Sequence, residues 1–280
     1  MKKIKALITA LLILTLLIMT TAYAAATGTT ADRFEYSISG DKATITGYMG
    51  SEINLKIPAY IGGVPVISIG VSAFSRKTEL VSITIPSGVT SIQYGAFAAC
   101  TNLASISIPS SVSLIEAFAF SGCSSLTSVT IPWGVTTISE HSFVGCTSLT
   151  SVTIPSSVTS IQNRAFAGCD NLRKIIIPSS VTYIGYDYVF LYTPVTVYGS
   201  AGSYVQTYAQ NNNIPFEVLG QIMRGDANDD KKIDIMDLVA IIDYIVSDIE
   251  PVSIINADAN ASGHVDIMDL VWIIDVIVGS

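Results

Sequence analysis

Two copies of an acidic loop near the end of the 280-residue chain hold the residues whose types and spacing most clearly suggest chemistry. The segments DANDDKKIDIMD (226–237) and DANASGHVDIMD (258–269) both place oxygen-bearing side chains at loop positions 1, 3, 5, 9 and 12. Alternate residues of a tight loop can direct oxygens toward one point, as Ca²⁺ requires, and position 7 would supply a backbone carbonyl. We therefore predict two calcium ions, with these ligand residues: Asp226, Asn228, Asp230, Lys232, Asp234 and Asp237 in the first loop, and Asp258, Asn260, Ser262, His264, Asp266 and Asp269 in the second.

A helix after each loop would position its last carboxylate. Residues 234–246 and 266–278 agree at 11 of 13 positions and are apolar on almost every side. A unit of roughly 55 residues cannot bury all of this surface, so the surplus predicts an exposed patch for protein interaction. Acids that merely cap and solvate two helices would explain neither the alternation nor the duplication. A generic EF-hand pair is the nearer alternative, but position 12 is Asp rather than Glu, and residues 221–225 are too few for a preceding helix.

This duplicated tail, residues 225–280, resembles the type I dockerin, a module that attaches secreted proteins of cellulolytic bacteria to cohesin domains of a scaffold protein. The resemblance implies calcium-dependent binding to a cohesin domain. Because the two halves offer the same chemistry, binding in two orientations related by a half-turn is also expected. In this family the partner contacts lie at loop positions 10 and 11 and about two helical turns later, which here are Ile235, Met236, Ile242, Asp243, Ile267, Met268, Ile274 and Asp275.

The middle of the chain repeats with a period of 23 residues, in five units that begin at Leu80, Leu103, Leu126, Leu149 and Leu172. Each unit contains L-x-x-(I/V)-x-I-P and V-x-x-I, and the first four end in (A/S)-F-x-x-C, whereas the fifth loses the Phe and the Cys. Apolar positions that only the next unit can cover predict stacked coils. Within each coil we expect a short strand ended by proline, a second short extended stretch, and a helical turn that places Phe in the core.

Atypical segments should close both ends of this stack, because a solenoid needs caps over its open edges. We predict a capping hairpin over 25–52 that turns at Gly40-Asp41, repeats over 53–194, a strand–helix–strand cap over 195–219 and a linker at 220–224. Repeats and caps together resemble the BspA-like leucine-rich repeat proteins of bacterial surfaces. That resemblance implies binding of a protein or a surface, and it supplies no catalytic residues. The predicted fold class is a leucine-rich-repeat β-solenoid of parallel short strands, followed by a small all-α calcium-binding module.

All four cysteines occupy one column of the repeat, at Cys100, Cys123, Cys146 and Cys169. Disulfides are the usual expectation for an even count in an exported protein. Coils about 4.8 Å apart would permit them, but parallel Cβ directions disfavour them, so we predict buried free thiols. Trp133 replaces the serine of the other units and is either a ligand contact or packed on a neighbouring turn. Exposed strand positions carry Ser and Thr, which form either a ligand-binding face or a solvated sheet surface.

Charge and hydropathy divide the chain further. The net charge of −8 has the wrong sign for nucleic-acid binding. Residues 225–280 hold 12 Asp or Glu against two Lys, a net of −10, and the rest of the chain has a net of +2. Residues 1–24 have the basic start, apolar run and small-residue cleavage site of a secretory signal peptide. We therefore expect export, with no membrane span after cleavage.

The sequence offers little for catalysis. His141 lies at a variable repeat position that we expect to be exposed, and His264 lies in a calcium loop. A glycosidase needs two facing carboxylates, and no such pair is evident. We predict a secreted, non-catalytic cellulosome subunit at the bacterial cell surface, whose tail binds a cohesin and whose repeats bind a protein or polysaccharide. The alternative is a surface adhesion protein that binds host or neighbouring-cell components, and an unrecognised hydrolase ranks third.

Overall fold

The fold is that of a computed structural model, which describes residues 26–218. The predicted signal peptide at 1–24, the linker at 220–224 and the tail at 225–280, with its expected all-α fold, lie outside the described residues. The described strands, in chain order, are β1 (Ala26–Thr29), β2 (Phe34–Ser39), β3 (Lys42–Tyr48), β4 (Asn54–Lys56), β5 (Tyr60–Ile61), β6 (Val64–Ile69), β7 (Ser82–Thr84), β8 (Ser91–Ile92), β9 (Ser105–Ser107), β10 (Leu114–Ile115), β11 (Thr137–Ile138), β12 (Ser151–Thr153), β13 (Ser160–Ile161), β14 (Lys174–Ile176), β15 (Tyr183–Ile184), β16 (Thr196–Gly199) and β17 (Phe216–Val218). The helix of this region, α1, spans Tyr204–Asn211.

An antiparallel hairpin covers the first end of the stack. Strands β2 and β3 pair and reverse at Gly40, whose φ of 62° favours a residue without a side chain. This matches the hairpin expected at Gly40-Asp41, and β1 adds an antiparallel strand that the sequence pattern did not predict. The ring of Tyr48 lies 4.9 Å from that of Phe34 and 6.1 Å from that of Phe74, measured between centroids. The hairpin therefore buries aromatic side chains against the coil that contains Phe74, which precedes the unit that begins at Leu80.

Two ladders of short parallel strands run along a β-solenoid of about eight turns. Successive rungs pair residues 23 apart, as Ser82 pairs with Ser105 and Ser160 with Tyr183. Because the register repeats, each buried position lies over the equivalent position of the next coil. The first ladder comprises β4-β7-β9 and β12-β14-β16-β17, and the second comprises β3-β6-β8-β10 and β11-β13-β15.

Both ladders are interrupted at the third coil, residues 126–148. The first ladder has no strand in this coil, and the second is broken between β10 of the second coil and β11 of the third. The strand predicted before Pro132 is not formed, so that prediction was wrong for this unit. In the unit that begins at Leu80, the backbone N–H that follows the second strand, at Gln93, donates to Ile69 O at 2.9 Å. In the third coil the Oγ of Ser139 donates to Ile115 O at 2.5 Å. A side-chain hydroxyl thus makes the bond that a backbone N–H makes at Gln93. The third coil is therefore bonded to the second without a pair of hydrogen-bonded strands at this point.

The predicted helical turn around each Phe is wrong, since the chain forms a run of tight turns there. Alternate N–H groups bond within the coil and to the next coil: Ala96 N donates to Gln93 O, whereas Phe97 N donates to Ala119 O. Two residues per coil take positive φ, for example Phe118 at 60° and Gly122 at 71°. A helix would direct every N–H along its own axis, and the coils would then lose these bonds to one another.

Columns of identical side chains form the core. The phenylalanines Phe74, Phe97, Phe120, Phe143 and Phe166 stack with 5.3–5.5 Å between successive ring centroids. Phe190 continues the stack 6.0 Å from Phe166. The fifth unit therefore keeps the phenylalanine that the 23-residue register had appeared to lose, because one extra residue shifts it along the chain.

The far end is closed by β16, α1 and β17, the strand–helix–strand order expected there. The Oγ of Ser203 caps α1 by accepting a hydrogen bond from Gln206 N at 3.2 Å. Val205 and Ala209 are the buried residues of the helix. This small apolar face covers the last coil in place of a further repeat.

Candidate binding surfaces

The cysteine column is a structural feature of the core. All four thiols are free and buried, as predicted. Each Sγ donates to the carbonyl of the phenylalanine in the preceding coil, for example from Cys100 to Phe74 O at 3.0 Å and from Cys123 to Phe97 O at 3.2 Å. In the last coil the Oγ1 of Thr193 makes the equivalent bond to Phe166 O at 2.7 Å. The thiol is a second donor to these carbonyls, since Phe97 O also accepts a backbone bond from Cys100 N at 3.3 Å, and it links each coil to the one before it.

Burial also makes these thiols unreactive. It raises the pKa of Cys100 and of Cys169 to about 12 and raises the pKa of Cys123 and Cys146 further above the ordinary range. The thiolate is the nucleophilic and metal-binding form of cysteine. At neutral pH the raised pKa values favour the protonated, less reactive form of all four thiols.

The outward side of the first ladder presents hydroxyl groups. Ser105 and Ser107 are exposed on β9, as are Ser151 and Thr153 on β12. Among the described strands, charged side chains occur on this face only toward its ends, where Lys56 and Lys174 are exposed on β4 and β14. Between those ends the face offers hydrogen bonds rather than charge to anything that contacts it.

Trp133, which we expected either to contact a ligand or to pack on a neighbouring turn, lies half-buried after the buried Pro132 in the irregular third coil. In the preceding coil, Ile106 and Ile108 are only partly buried, although their counterparts Ile83 and Ile85 are fully buried. This is the part of the repeat where packing departs most from regularity. The role of Trp133 in ligand contact stays a prediction.

His141 is more buried than its variable position suggested. Its side chain is 18% exposed, and its ring stacks on Phe118 with 4.5 Å between centroids and 6° between planes. Its Nδ1 lies 3.6 Å from Oε1 of Glu140. The equivalent residue of the next coil, Arg164, pairs with Asp187 through a 3.1 Å contact between Nη2 and Oδ2. This column therefore packs successive coils together, and the exposure expected of His141 was wrong.

Within residues 26–218, no group of three or more His, Cys, Asp or Glu side chains could hold a metal ion. No helix in that range is long and apolar enough to cross a membrane. The twelve predicted calcium ligands from Asp226 to Asp269 and the eight predicted cohesin contacts from Ile235 to Asp275 lie outside the described residues. The predicted ligands would offer carboxylate, amide, hydroxyl and backbone oxygens, which are the ligands that Ca²⁺ prefers.

Comparison with protein families identifies the two parts of the chain. The family of BspA type leucine rich repeat regions matches residues 67–195 in six copies. The dockerin type I domain matches residues 224–277. The chain contains both modules. The leucine-rich repeats and the dockerin are interaction modules rather than catalytic ones, and together they support a protein-interaction role of the cellulosome type.

Solved structures agree on the fold of the repeats. The leucine rich repeat protein TpLRR of T. pallidum is 26% identical to this chain with a TM-score of 0.51, over 68% of this chain and 97% of that protein. The pneumococcal vaccine antigen PcpA is 23% identical with a TM-score of 0.52, over 64% of this chain and 51% of that one. None of the curated proteins compared with the chain matches it significantly.

One feature of the described surface was missed by the sequence reasoning. Seven of the 13 tyrosines lie between residues 183 and 208, and five of these side chains are exposed in the structure. The clustering is visible in the sequence itself. The repeat pattern does not indicate these tyrosines, because the fifth unit and the cap that follows it depart from that pattern.

Proposed function

We propose that this protein is a secreted, non-catalytic subunit of a cellulosome-type complex. Its dockerin binds a cohesin domain of a scaffold protein in a calcium-dependent manner, while its repeats bind a protein or polysaccharide. The observation that carries this proposal is the dockerin match over 224–277, which coincides with the two loops of alternating oxygens. An interaction module at one end and a rigid solenoid at the other suit a protein that connects two partners.

In this proposal two calcium ions are held by the oxygens of the two loops. The first loop offers four carboxylates, at Asp226, Asp230, Asp234 and Asp237, and the second offers three, with Ser262 in place of an acid. The second loop has Gly263 at its sixth position, where a positive φ is favourable, whereas the first has Lys231. Type I dockerins bind calcium, and the bound ions would hold both loops in the shape that orients the following helices.

The cohesin-binding residues in this proposal are Ile235, Met236, Ile242 and Asp243, with Ile267, Met268, Ile274 and Asp275 in the second half. Because these two sets are identical in residue type, either half could occupy the same cohesin surface after a half-turn of the module. Bulky apolar side chains that stay exposed in the free protein would supply the binding free energy through burial.

The direct test is a calcium-dependent binding screen of the full chain against a panel of cohesin domains. We expect at least one cohesin to be retained with calcium and released by chelation. Asp170→Ala, which removes an exposed acid of the repeats, is the control that should leave retention unchanged. Calcium-independent retention, or binding to bacterial or host cells without binding to any cohesin, would contradict the cellulosome role and favour the adhesion alternative.

A further inference from the structure

The last coil and the cap that follows it carry an unusual exposed surface. Between residues 175 and 216, every large apolar side chain left exposed is a tyrosine. Their exposed fractions range from 40% to 91%, and these residues are Tyr183, Tyr186, Tyr188, Tyr192 and Tyr204. Exposed aromatic side chains concentrated in one segment mark an interaction site more specifically than scattered apolar residues do.

Two of these rings are in contact and the hydroxyl of a third is bonded to the backbone next to them, and we refer to Tyr183, Tyr186 and Tyr204 as the tyrosine cluster. The rings of Tyr183 and Tyr186 meet edge to face, with centroids 6.0 Å apart and planes at 85°. The hydroxyl of Tyr204, at the start of α1, accepts a hydrogen bond from Ile184 N at 3.4 Å. This bond places the helix beside β15. Within the described residues, the ring of Tyr183 is the one aromatic ring in contact with Tyr186, and it leaves Tyr186 91% exposed.

The segment that carries the tyrosine cluster is almost free of charge. Asp187 is the one charged residue in the sequence between 175 and 216, and Arg164 neutralises it across 3.1 Å. Nucleic acids and anionic membranes require Lys or Arg, which this segment lacks. Protein interfaces are enriched in Met, Arg and Phe as well as Tyr, and the exposed large apolar side chains here are tyrosines alone. A neutral sugar chain fits better, because C–H faces can pack on the rings while its hydroxyls bond to phenol and amide groups.

We propose that the tyrosine cluster is a binding site for a neutral polysaccharide. This inference rests on the proposed function in so far as it selects polysaccharide, rather than protein, as the ligand of the repeats. It also locates that ligand at the C-terminal end of the solenoid. The exposed hydroxyl face of the first ladder need not take part.

Affinity electrophoresis of the full chain tests the site, in gels that contain soluble neutral β-glucan, neutral glucomannan or anionic polygalacturonate. We expect at least one neutral polysaccharide to retard the protein and polygalacturonate to retard it less. Tyr186→Ala should raise the dissociation constant about tenfold, as the loss of one stacked ring predicts, and Tyr186→Phe should retain most of the binding. Tyr60→Ala is the matched control, because Tyr60 is 65% exposed at the opposite end of the solenoid.

Circular dichroism should give the same spectrum and melting temperature for all three variants, since each replaces an exposed side chain. The proposal is overturned if no neutral polysaccharide retards the chain, if Tyr186→Ala binds as the parent does, or if Tyr60→Ala weakens binding equally. It is also overturned if the cluster captures a protein in the absence of any polysaccharide retardation. Cohesin retention is measured separately, so failure of the calcium-dependent module and failure of the tyrosine cluster are distinguishable.

Discussion

The thiol of Cys123 donates a hydrogen bond to the carbonyl oxygen of Phe97, one coil earlier, across 3.2 Å. The bond joins two columns that the sequence repeats together, since the next thiol, Cys146, bonds to Phe120 in the same way. Where the column loses its cysteine, the hydroxyl of Thr193 takes over. Each of these coils therefore keeps a small side chain that donates this hydrogen bond, and the donor atom can be either sulfur or oxygen.

Replacement of Cys123 separates these two properties. Cys123→Ala removes the link between the two coils and leaves a small cavity at a fully buried position, so the free energy of unfolding should fall by about 2 kcal/mol even though Phe97 O keeps its bond from Cys100 N. Cys123→Ser and Cys123→Thr keep a donor, as Thr193 does, and should lose less. Urea unfolding followed by circular dichroism measures all three. If serine were as destabilising as alanine, packing of the sulfur and not its hydrogen bond would be what matters.

Thiol labelling checks the protonation and burial of the column. At pH 8 the native chain should react very slowly with iodoacetamide, because all four thiols are buried and their pKa values are raised. In urea the same four groups should react fully. Mass spectrometry counts the modified residues, and stoichiometric labelling of the folded protein would contradict the structure.

The raised thiol pKa values also make stability depend on alkaline pH. Burial raises the pKa of Cys100 from 9.0 to about 12, so above pH 9 the unfolded chain loses a proton that the folded chain retains. The unfolded state then binds fewer protons, and the free energy of unfolding must fall as pH rises from about 9 toward 12. Urea unfolding at pH 8 and pH 10.5 measures the fall. A variant with all four cysteines replaced by serine is the control, because it retains the tyrosine and lysine titrations, and an equal fall in that variant would exclude the thiols as the cause.

Calcium removal should affect one module only. Chelation is expected to abolish the helical signal of residues 225–280, because metal binding supplies much of the folding free energy of such loops. The β signal of the repeats should persist, since residues 26–218 contain no cluster of three or more His, Cys, Asp or Glu side chains that could hold a metal ion. Circular dichroism with and without EDTA measures both signals. Calorimetric titration of the full chain should show two ions bound, and simultaneous loss of both signals would argue against independent modules.

Paired substitutions test the two docking orientations. Asp237→Ala together with Asp269→Ala removes the last acidic ligand of each loop and should abolish cohesin binding. Each single variant should retain binding through its intact half, with an affinity reduced by less than about tenfold. Surface-bound cohesin measures all three. Complete loss in both single variants would mean that the two halves act as one site.

Much of the fold followed from the repeat itself. A Leu at the start of every 23 residues, with Ile, Val and Phe in constant register, predicted the solenoid and its buried columns. The helical turn near Phe97 was predicted wrongly, because local propensity cannot show that alternate N–H groups bond the next coil. The absent strand before Pro132 and the displaced Phe190 were missed for a related reason: both depend on how one coil is spaced against its neighbours.

The sequence by itself determined the period of the stack, the column of free thiols and the duplicated oxygen-rich loops, because each of these is written as residue types at fixed intervals. Only the tertiary structure decided which groups meet between coils: the thiol of Cys123 with Phe97 O, the ring of His141 with Phe118, and Tyr183 with Tyr186. Those contacts depend on backbone directions at the turns and on the spacing of adjacent coils. Both are set by packing across the stack, which no single unit of the repeat specifies.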